Sequence, residues 1–251
     1  MNRLVFNSKN FLLLLCLSSF LSCNSTEQHA NIRVAVAANF YPLMLELKQD
    51  FERLHAVEVD LISGSSGVLS SQIRQGAPYD AFFSADLDFS MDLYEDGYCK
   101  KGPKIYAKGQ MVLCSNTGAV DVNALCVGGE NTKIGIANPK TAPYGKAALR
   151  FLQTQTCFSE LEPRLVFANN INQLDQYISN GVVGFGITAA SSVEMKSFLK
   201  DHQILSFKEG LEQSCVLLDG KKSAHRLSQQ FIDYILSEEI QKIIVSKGYR
   251  L

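Results

Sequence analysis

The chain has 251 residues, with 24 Lys plus Arg against 25 Asp plus Glu, and therefore a formal net charge of −1. Hydrophobic residues make up 46 % of it, which excludes a disordered chain, because disorder needs low hydrophobicity and high net charge. The charge balance also gives no sign of nucleic-acid binding, which usually shows as a basic excess. The length predicts one large domain or two small ones.

Residues 1–23 have the pattern of an export signal. Arg3 and Lys9 supply positive charge, and Phe11–Leu21 form an apolar run shorter than the ~20 residues of a membrane span. The run ends at Phe20-Leu21-Ser22-Cys23, which resembles a bacterial lipobox, where the cysteine is lipidated and becomes the mature N-terminus. An ordinary signal peptide with a chance cysteine is the alternative. We expect lipidation at Cys23, followed by a flexible leash over residues 24–30.

From residue 31 onward, strand-like and helix-like patterns alternate. Apolar runs are separated by amphipathic stretches, such as the one that carries Leu43, Leu47, Phe51 and Leu54 at helical spacing. This alternation predicts an α/β architecture with largely parallel sheets. The predicted strands are Ile32–Ala37, Val57–Ile62, Asp80–Ser84, Met111–Cys114, Lys133–Ala137, Arg164–Phe167, Val182–Ile187 and Ser214–Leu218.

Two further segments bear on the organisation of the chain. Gly109–Ser115 and Leu211–Gly220 are apolar, strand-like and bounded by glycine, so they are the natural crossovers if there are two domains. The pattern of apolar residues over 223–247 predicts a helix. Its buried face is supplied by Phe231, Tyr234, Ile235, Ile240 and Ile244.

No catalytic or metal-binding motif is complete. Ser66 lies in Ser63-Gly64-Ser65-Ser66-Gly67, where the spacing is one residue short of a nucleophile elbow, which disfavours a serine hydrolase. The four histidines show no metal-ligand spacing, and no Cys-x-x-Cys pair occurs. We therefore expect no enzyme, no cofactor and no cation site.

Cysteine usage leaves disulfide pairing open. Cys16 leaves with the export segment and Cys23 is the expected lipidation site, so five of the seven cysteines remain. Five is odd, so at most two disulfides form within the chain. The candidates are Cys99, Cys114, Cys126, Cys157 and Cys215.

A strand followed by a polar or small-residue turn and then a helix recurs four times. The turns contain Asn39, Ser63–Gly67, Asn138–Tyr144 and Ala168–Asn170. Such junctions direct helix N-terminal N–H groups beyond the carboxyl ends of strands, where anions bind without a formal cation. Routine N-capping by Ser and Asn is the alternative at each junction. Four junctions together favour a small, neutral cage for an oxyanion.

At these residues the sequence resembles the periplasmic molybdate-binding proteins of ABC importers. The matching blocks are Val34–Phe40, Gly64–Gly67, Gln72–Asp80, Phe83–Asp86, Ala137–Leu149, Phe231–Tyr234 and Lys247–Tyr249. The resemblance runs in order from residue 31 to the end. Its specific parts are Gln-Ile-x-x-Gly-Ala-Pro-x-Asp and Asn-Pro-Lys-x-Ala-Pro-Tyr-Gly.

This resemblance implies a two-lobed, type II periplasmic-binding-protein fold, with two α/β lobes, two crossover strands and a ligand cleft between the lobes. Lobe one is expected at residues 31–110 plus 217–251, and lobe two at 111–216. The resemblance places the oxyanion ligands at Asn39, Ser66, Tyr144 and the backbone N–H of Ile171. Ala38 and Ser65 are further candidates that would add backbone or hydroxyl donors. Ile187 is also a candidate, and it stands where some members of the family carry a tyrosine.

By the same resemblance, the chain is the binding component of a molybdate or tungstate importer, with a membrane permease and its ATPase as partners. It is expected in the periplasm or at the outer face of the cell envelope, as a lipid-anchored monomer that binds no nucleic acid. Sulfate, phosphate or a small organic anion is the first alternative ligand. An enzyme or a sensor domain on the same fold is the second alternative function.

Overall fold

The computed structural model describes residues 31–115, 120–127, 129, 132–196, 201–205, 210–219 and 222–251. The predicted export segment 1–23 with Cys23, and the leash 24–30, lie outside the described residues. In the part that is described, no helix is long and apolar enough to cross a membrane. The same part contains no group of three or more His, Cys, Asp or Glu side chains that could hold a metal ion.

Strands and helices alternate through most of this range. The strands are β1 (Asn31–Ala37), β2 (Glu58–Gly64), β3 (Ala81–Ser84), β4 (Lys104–Gly109), β5 (Met111–Ser115), β6 (Ile134–Ala137), β7 (Leu165–Ala168), β8 (Phe185–Ala189), β9 (Asp201–Ile204) and β10 (Leu211–Leu217). The α-helices are α1 (Tyr41–His55), α2 (Ser66–Arg74), α3 (Asp88–Glu95), α4 (Val122–Val127), α5 (Pro143–Gln153), α6 (Phe158–Leu161), α7 (Ile171–Ser179), α8 (Ala190–Met195), α9 (Lys222–Ile235) and α10 (Glu238–Ser246).

The strands form two five-stranded sheets of matching topology. The strand orders are β2-β1-β3-β10-β4 and β7-β6-β8-β5-β9. In each sheet one strand, β1 or β6, pairs in parallel with both neighbours, and the remaining ladders are antiparallel. The predicted two-lobed α/β fold is confirmed. The sheets are mixed rather than largely parallel, because β5 and β10 enter from the opposite sheet instead of following a crossover helix.

The connections between the sheets decide where the lobes divide. β4 ends at Gly109 and β5 begins at Met111, so the chain crosses at Gln110; it returns between β9 and β10. The sequence-based division gave residues 111–216 to lobe two. Because Leu211–Leu217 pairs with β3 and β4 of the first sheet, we propose the second lobe boundary between β9 and β10.

Helices pack apolar faces onto the sheets. On α1 the buried face consists of Leu43, Met44, Leu47 and Phe51, and the helix ends at Ala56, which has a left-handed conformation. Leu54, which continues the same periodicity in the sequence, is 69 % exposed in the last turn of the helix. The predicted C-terminal helix is divided into α9 and α10 by Leu236 and Ser237. Of the five residues predicted for its buried face, all lie in the core of lobe one except Tyr234, which is half-buried.

One disulfide forms among the five candidate cysteines. Cys126 in α4 is bonded to Cys157, which precedes α6, with the two Cα atoms 5.7 Å apart. Cys99, Cys114 and Cys215 are free and buried. Burial raises the pKa of the Cys99 thiol to about 11 and those of Cys114 and Cys215 to about 12. These thiols stay protonated at neutral pH and act as small apolar residues.

Candidate functional site

A small pocket lies between the lobes, at the carboxyl ends of β1, β2 and β3 on one side and of β6 and β7 on the other. The crevice beside such strand ends is where open α/β sheets bind ligands. Its cavity volume is about 10 Å³, roughly the room that one water molecule needs and far less than the ~300–1,000 Å³ of clefts that hold drug-sized ligands. It is lined by Ala37, Ala38, Asn39, Ser65, Ser66, Ala85, Ala142, Pro143, Tyr144, Asn170 and Ile171.

The walls are uncharged and excluded from water. None of the described residues that line the pocket is Asp, Glu, Lys, Arg or His. Asn39, Ser65, Ser66, Tyr144 and Ile171 are each at most 5 % exposed. Burial also raises the pKa of the Tyr144 phenol well above its ordinary value, so this side chain remains a neutral O–H donor. A buried charge is tolerated in such a place only when several hydrogen bonds surround it.

Backbone N–H groups at helix starts supply donors on both sides of the pocket. Ser66 is the first residue of α2, Tyr144 the second of α5 and Ile171 the first of α7. N–H groups in the first turn of a helix have no acceptor within that helix. The helix dipole places about half a positive charge at the same end. Three helix N-termini therefore converge on one small volume.

The N-capping alternative holds at one of these three helices. Asn170 caps α7, because its side chain accepts a hydrogen bond from the Gln173 N–H at 3.0 Å. Ser65 and Ala142, the N-cap residues of α2 and α5, make no side-chain cap hydrogen bond. The hydroxyl of Ser65 is buried and has no hydrogen-bond partner in the described part of the chain. An unpaired buried hydroxyl costs free energy, so a ligand acceptor at this position would remove that cost.

Two further hydroxyls accept a hydrogen bond from the protein and keep their own proton free. The Ser66 Oγ accepts from the Ala85 N–H at 2.9 Å, and the Tyr144 Oη accepts from Gln213 Nε2 at 3.1 Å. Neither donates to a protein acceptor among the described residues. A hydroxyl both donates and accepts, so each of these protons is available to a ligand.

Asn39 and Ala38 use part of their hydrogen-bonding capacity inside lobe one. The Asn39 Nδ2 donates to Gln213 Oε1 at 2.9 Å and to Tyr249 Oη at 3.4 Å. The Ala38 N–H donates to the Gly64 carbonyl at 2.9 Å. Both residues line the pocket, but the side-chain amide of Asn39 is committed to neighbours. We infer that Asn39 presents its backbone N–H to a ligand and that Ala38 contributes space.

Ile171 lies at the pocket, whereas Ile187 does not. Ile187 is in the middle of β8, where it pairs with Leu113 and Ile136, and it is 1 % exposed within the lobe-two core. It is absent from the pocket lining. Ile187 therefore lies outside this pocket, because the sheet surrounds it on both sides, and its part in the site stays a prediction.

Gln213 is a polar residue of the site that the sequence reasoning missed. It lies in β10, is 0 % exposed, and bonds to residues from both lobes. Its Oε1 accepts from Asn39 Nδ2 and from the Tyr106 hydroxyl, each at 2.9 Å. Its Nε2 donates to Tyr144 across the lobe boundary. Its sequence signal is weak: a single Gln in an otherwise strand-like segment.

Contacts around the pocket hold the lobes together. The Gly67 N–H donates to the Thr141 carbonyl at 2.9 Å. A Cβ at Gly67 would lie 2.8 Å from the Phe89 ring and 3.0 Å from that carbonyl oxygen. Glycine therefore permits this close approach between lobe one and lobe two. The exposed pair between Lys146 Nζ and Asp88 Oδ2, at 3.3 Å, also joins the lobes.

Asp86 follows the pocket-lining Ala85 and carries a perturbed carboxyl group. Burial raises its pKa to about 6, against the lowering effect of hydrogen bonds from the Ser84 hydroxyl and the Phe89 N–H. Because the folded-state pKa exceeds the unfolded value of 3.8, the ionised form disfavours folding. This cost is absent below about pH 4, grows as the pH rises and is complete above about pH 6.

The variant Asp86→Asn should therefore be more stable than the wild type at pH 8, by about 1–3 kcal/mol. The amide oxygen retains an acceptor for Ser84 and Phe89. The difference should vanish near pH 4, where both side chains are neutral. Urea denaturation at pH 4 and pH 8 measures it, and equal stability of the two proteins at pH 8 would contradict the assignment.

Comparison with known proteins places the chain among binding proteins. The profile of the family described as bacterial extracellular solute-binding protein matches residues 32–250. The molybdate-binding protein ModA of Rhodobacter capsulatus is 32 % identical over 219 residues, covering 86 % of each chain. ModA of Azotobacter vinelandii is 31 % identical over 246 residues, covering 93 % of this chain and 94 % of that one.

A solved structure of a molybdate-binding protein is also similar to this chain. The periplasmic molybdate-binding protein of Azotobacter vinelandii superposes with a TM-score of 0.80 at 29 % identity, covering 88 % of this chain and 99 % of that one. The likeness therefore extends through both lobes and not only through one of them.

Proposed function

The chain belongs to the bacterial extracellular solute-binding protein family, and from this premise we propose that it binds molybdate, or the similar dianion tungstate, between its lobes. We propose further that it delivers the anion to the permease of an ABC importer and catalyses no reaction. The observation that carries the proposal is the small, buried, uncharged pocket, which is lined by three residues with hydroxyl groups and lies at the first turns of three helices.

An all-donor pocket suits a fully deprotonated oxyanion. Molybdate and tungstate carry two negative charges at neutral pH and offer only acceptors. Hydrogen bonds to an ionised acceptor are roughly twice as strong as those between neutral groups. Donors from the Ser65 and Ser66 hydroxyls, the Tyr144 hydroxyl and the first-turn N–H groups would replace the water that the anion loses on entry.

The same pocket disfavours a protonated oxyanion. Hydrogen phosphate carries a proton that needs an acceptor, and no carboxylate is among the described residues that line the pocket. Sulfate has the charge of molybdate but is smaller, so the size of the closed cage must separate the two. Hinge closure around the ligand is the usual motion of two-lobed binding proteins.

Calorimetric titration of the purified chain with molybdate, tungstate, sulfate and phosphate tests the proposal. We expect heat of binding and thermal stabilisation with molybdate and tungstate, and neither with phosphate. A response to sulfate alone would reassign the ligand within the same class of binding protein. No response to molybdate or tungstate would refute the proposal.

Replacing Ser66 by alanine should weaken molybdate binding by about 1.5–3 kcal/mol, the usual contribution of a hydrogen bond to a charged group. The reason is the loss of a donor whose proton no protein group uses. Ser70→Ala is the matched control. Ser70 lies on the same helix, is equally buried and has an unpaired hydroxyl, but it is not part of the pocket. Affinity unchanged in Ser66→Ala, or lowered equally in both variants, would reject the assignment.

Export and anchoring complete the proposal. We propose that residues 1–23 direct the chain out of the cytoplasm and that Cys23 carries the lipid that holds it at the outer face of a membrane. The monomer would then meet the permease at that surface. A mass measurement on the chain from the membrane fraction tests this. The unmodified mass, or a mature N-terminus other than Cys23, would exclude the anchor.

A further inference from the structure

We propose that Gln213 fixes the direction of the hydrogen bond at Tyr144, and so makes the Tyr144 hydroxyl a donor to the bound anion when the lobes close. This inference rests on the proposed function and deepens it, because it names the residue that makes the Tyr144 hydroxyl donate to the anion rather than accept. Gln213 does not line the pocket but bonds to Asn39 and Tyr144, which do, and it is therefore a positioning residue.

The orientation of the Gln213 amide is set inside lobe one. Its Oε1 accepts from Asn39 Nδ2 at 2.9 Å and lies 2.9 Å from the Tyr106 hydroxyl, which shares its single proton with the Ser84 carbonyl at 3.1 Å. A carboxamide has one oxygen and one NH2 group, so the Asn39 amide donor beside the oxygen places the NH2 group of Gln213 on the opposite side. That side faces Tyr144, whose Oη is 3.1 Å from Nε2.

The Gln213 N–H restricts the direction in which the Tyr144 hydroxyl proton can point. An Oη that accepts from an N–H cannot donate along the same line, so its own proton must point elsewhere. Among the described residues this proton has no acceptor, and because Tyr144 lines the pocket, we infer that the proton turns toward the ligand. Without Gln213, the hydroxyl could rotate and present either a proton or a lone pair to the ligand. A lone pair toward a dianion would be repulsive.

The absence of a side chain at Gly109 leaves the space that the Tyr144 hydroxyl and the Gln213 amide occupy. A Cβ on Gly109 would lie 2.2 Å from Tyr144 Oη and 2.7 Å from Gln213 Nε2. The hydrogen bond also crosses the lobe boundary, from β10 of the first sheet to α5 of lobe two. The Tyr144 proton is thus directed only when the lobes are together, which links closure of the cleft to the donor character of the site.

A double-mutant cycle on molybdate affinity tests this, using Gln213→Met, Tyr144→Phe and the double variant of the full chain at pH 8. Met keeps the length of Gln without its polar groups. Because the hydrogen bond at stake reaches a charged ligand, each single variant should lose about tenfold to a hundredfold in affinity. The double variant should lose no more than Tyr144→Phe alone, since Gln213 acts through the missing proton.

Losses that add in the double variant would overturn the inference and leave the proposed function standing, as would unchanged affinity in either single variant. The wild type is the reference for the proposed function: if it binds neither molybdate nor tungstate, that proposal fails first. At pH 8 the neighbouring ionisable groups each stay in one protonation state, so their titration does not contribute to the measured affinities. Burial raises the pKa of the phenols of Tyr106, Tyr144 and Tyr249 and of the Cys215 thiol, and Asp86 is fully ionised.

A second readout separates polarity from packing. Gln213→Glu has the same shape, but at pH 8 its carboxylate accepts where the amide donates, so it would draw the Tyr144 proton away from the ligand. We expect it to bind molybdate more weakly than Gln213→Met does, and to recover affinity as the pH falls and the carboxyl group becomes protonated. Binding of Gln213→Glu equal to the wild type at pH 8 would contradict the proposal.

Discussion

Replacing Gly109 by alanine should lower molybdate affinity by more than about a hundredfold. The new Cβ would fall 2.2 Å from the Tyr144 hydroxyl oxygen and 2.7 Å from Gln213 Nε2, so both groups must leave their positions in the closed form. The site then loses a donor to the anion, a loss of about 1.5–3 kcal/mol. It also gains an overpacking cost of about 1–3 kcal/mol. Calorimetric titration measures the sum.

The control is Gly102→Ala, since the nearest atom to a Cβ there is 3.9 Å away. It should bind molybdate like the wild type. A far-ultraviolet circular dichroism spectrum and a thermal unfolding curve of Gly109→Ala would show whether the fold persists. Wild-type affinity in a folded Gly109→Ala would mean that Tyr144 and Gln213 have no part in binding.

Replacing Gly145 by alanine should destabilise the fold by about 3 kcal/mol or more. Elsewhere in a helix this change usually stabilises, by about 0.5–1 kcal/mol. Here a Cβ would lie 2.1 Å from the carbonyl oxygen of Ala137 and 2.9 Å from the carbonyl carbon of Asn138. These are backbone atoms that cannot rotate away, so the start of α5 must separate from the end of β6.

For a chain of this length, such a loss corresponds to a fall of roughly 6–12 °C in the melting temperature. Thermal and urea unfolding of the ligand-free protein measure it, again beside Gly102→Ala. Anion binding should weaken as well, because α5 carries the N–H and the hydroxyl of Tyr144. A melting temperature at or above that of the wild type would show that α5 is not held against β6 as described.

Local sequence patterns predicted the fold well where a residue is buried together with the residues next to it in the sequence. Apolar runs such as Ile32–Ala37 became strands, and the turns that follow them became the pocket. Two strands went unpredicted, β4 (Lys104–Gly109) and β9 (Asp201–Ile204). Both lie at sheet edges and carry polar residues, so they lack the apolar run that marks a central strand.

The site was predictable in part for the same reason. Ser66, Tyr144 and Ile171 sit at strand-to-helix turns, which a sequence reveals, and the structure brings them together. Gln213 lies 174 residues from Asn39, to which it bonds, and no local pattern reports such a pairing. Nor does the sequence say that the Asn39 side chain is occupied or that Ile187 lies inside a sheet. Those facts depend on which strands become neighbours.

The uncharged walls of the pocket have a consequence for the conditions under which the protein works. Dissolved salt weakens attraction between exposed charges, with a screening length of about 10 Å at 0.1 M, but it hardly reaches donors that are closed off from water. Affinity should then change little between dilute and saline surroundings. With a net charge of −1 and no charged side chain among the described residues that line the pocket, the pocket walls themselves exert no long-range attraction on the anion. The protein would therefore hold its ligand by close fit and short hydrogen bonds rather than by exposed charge.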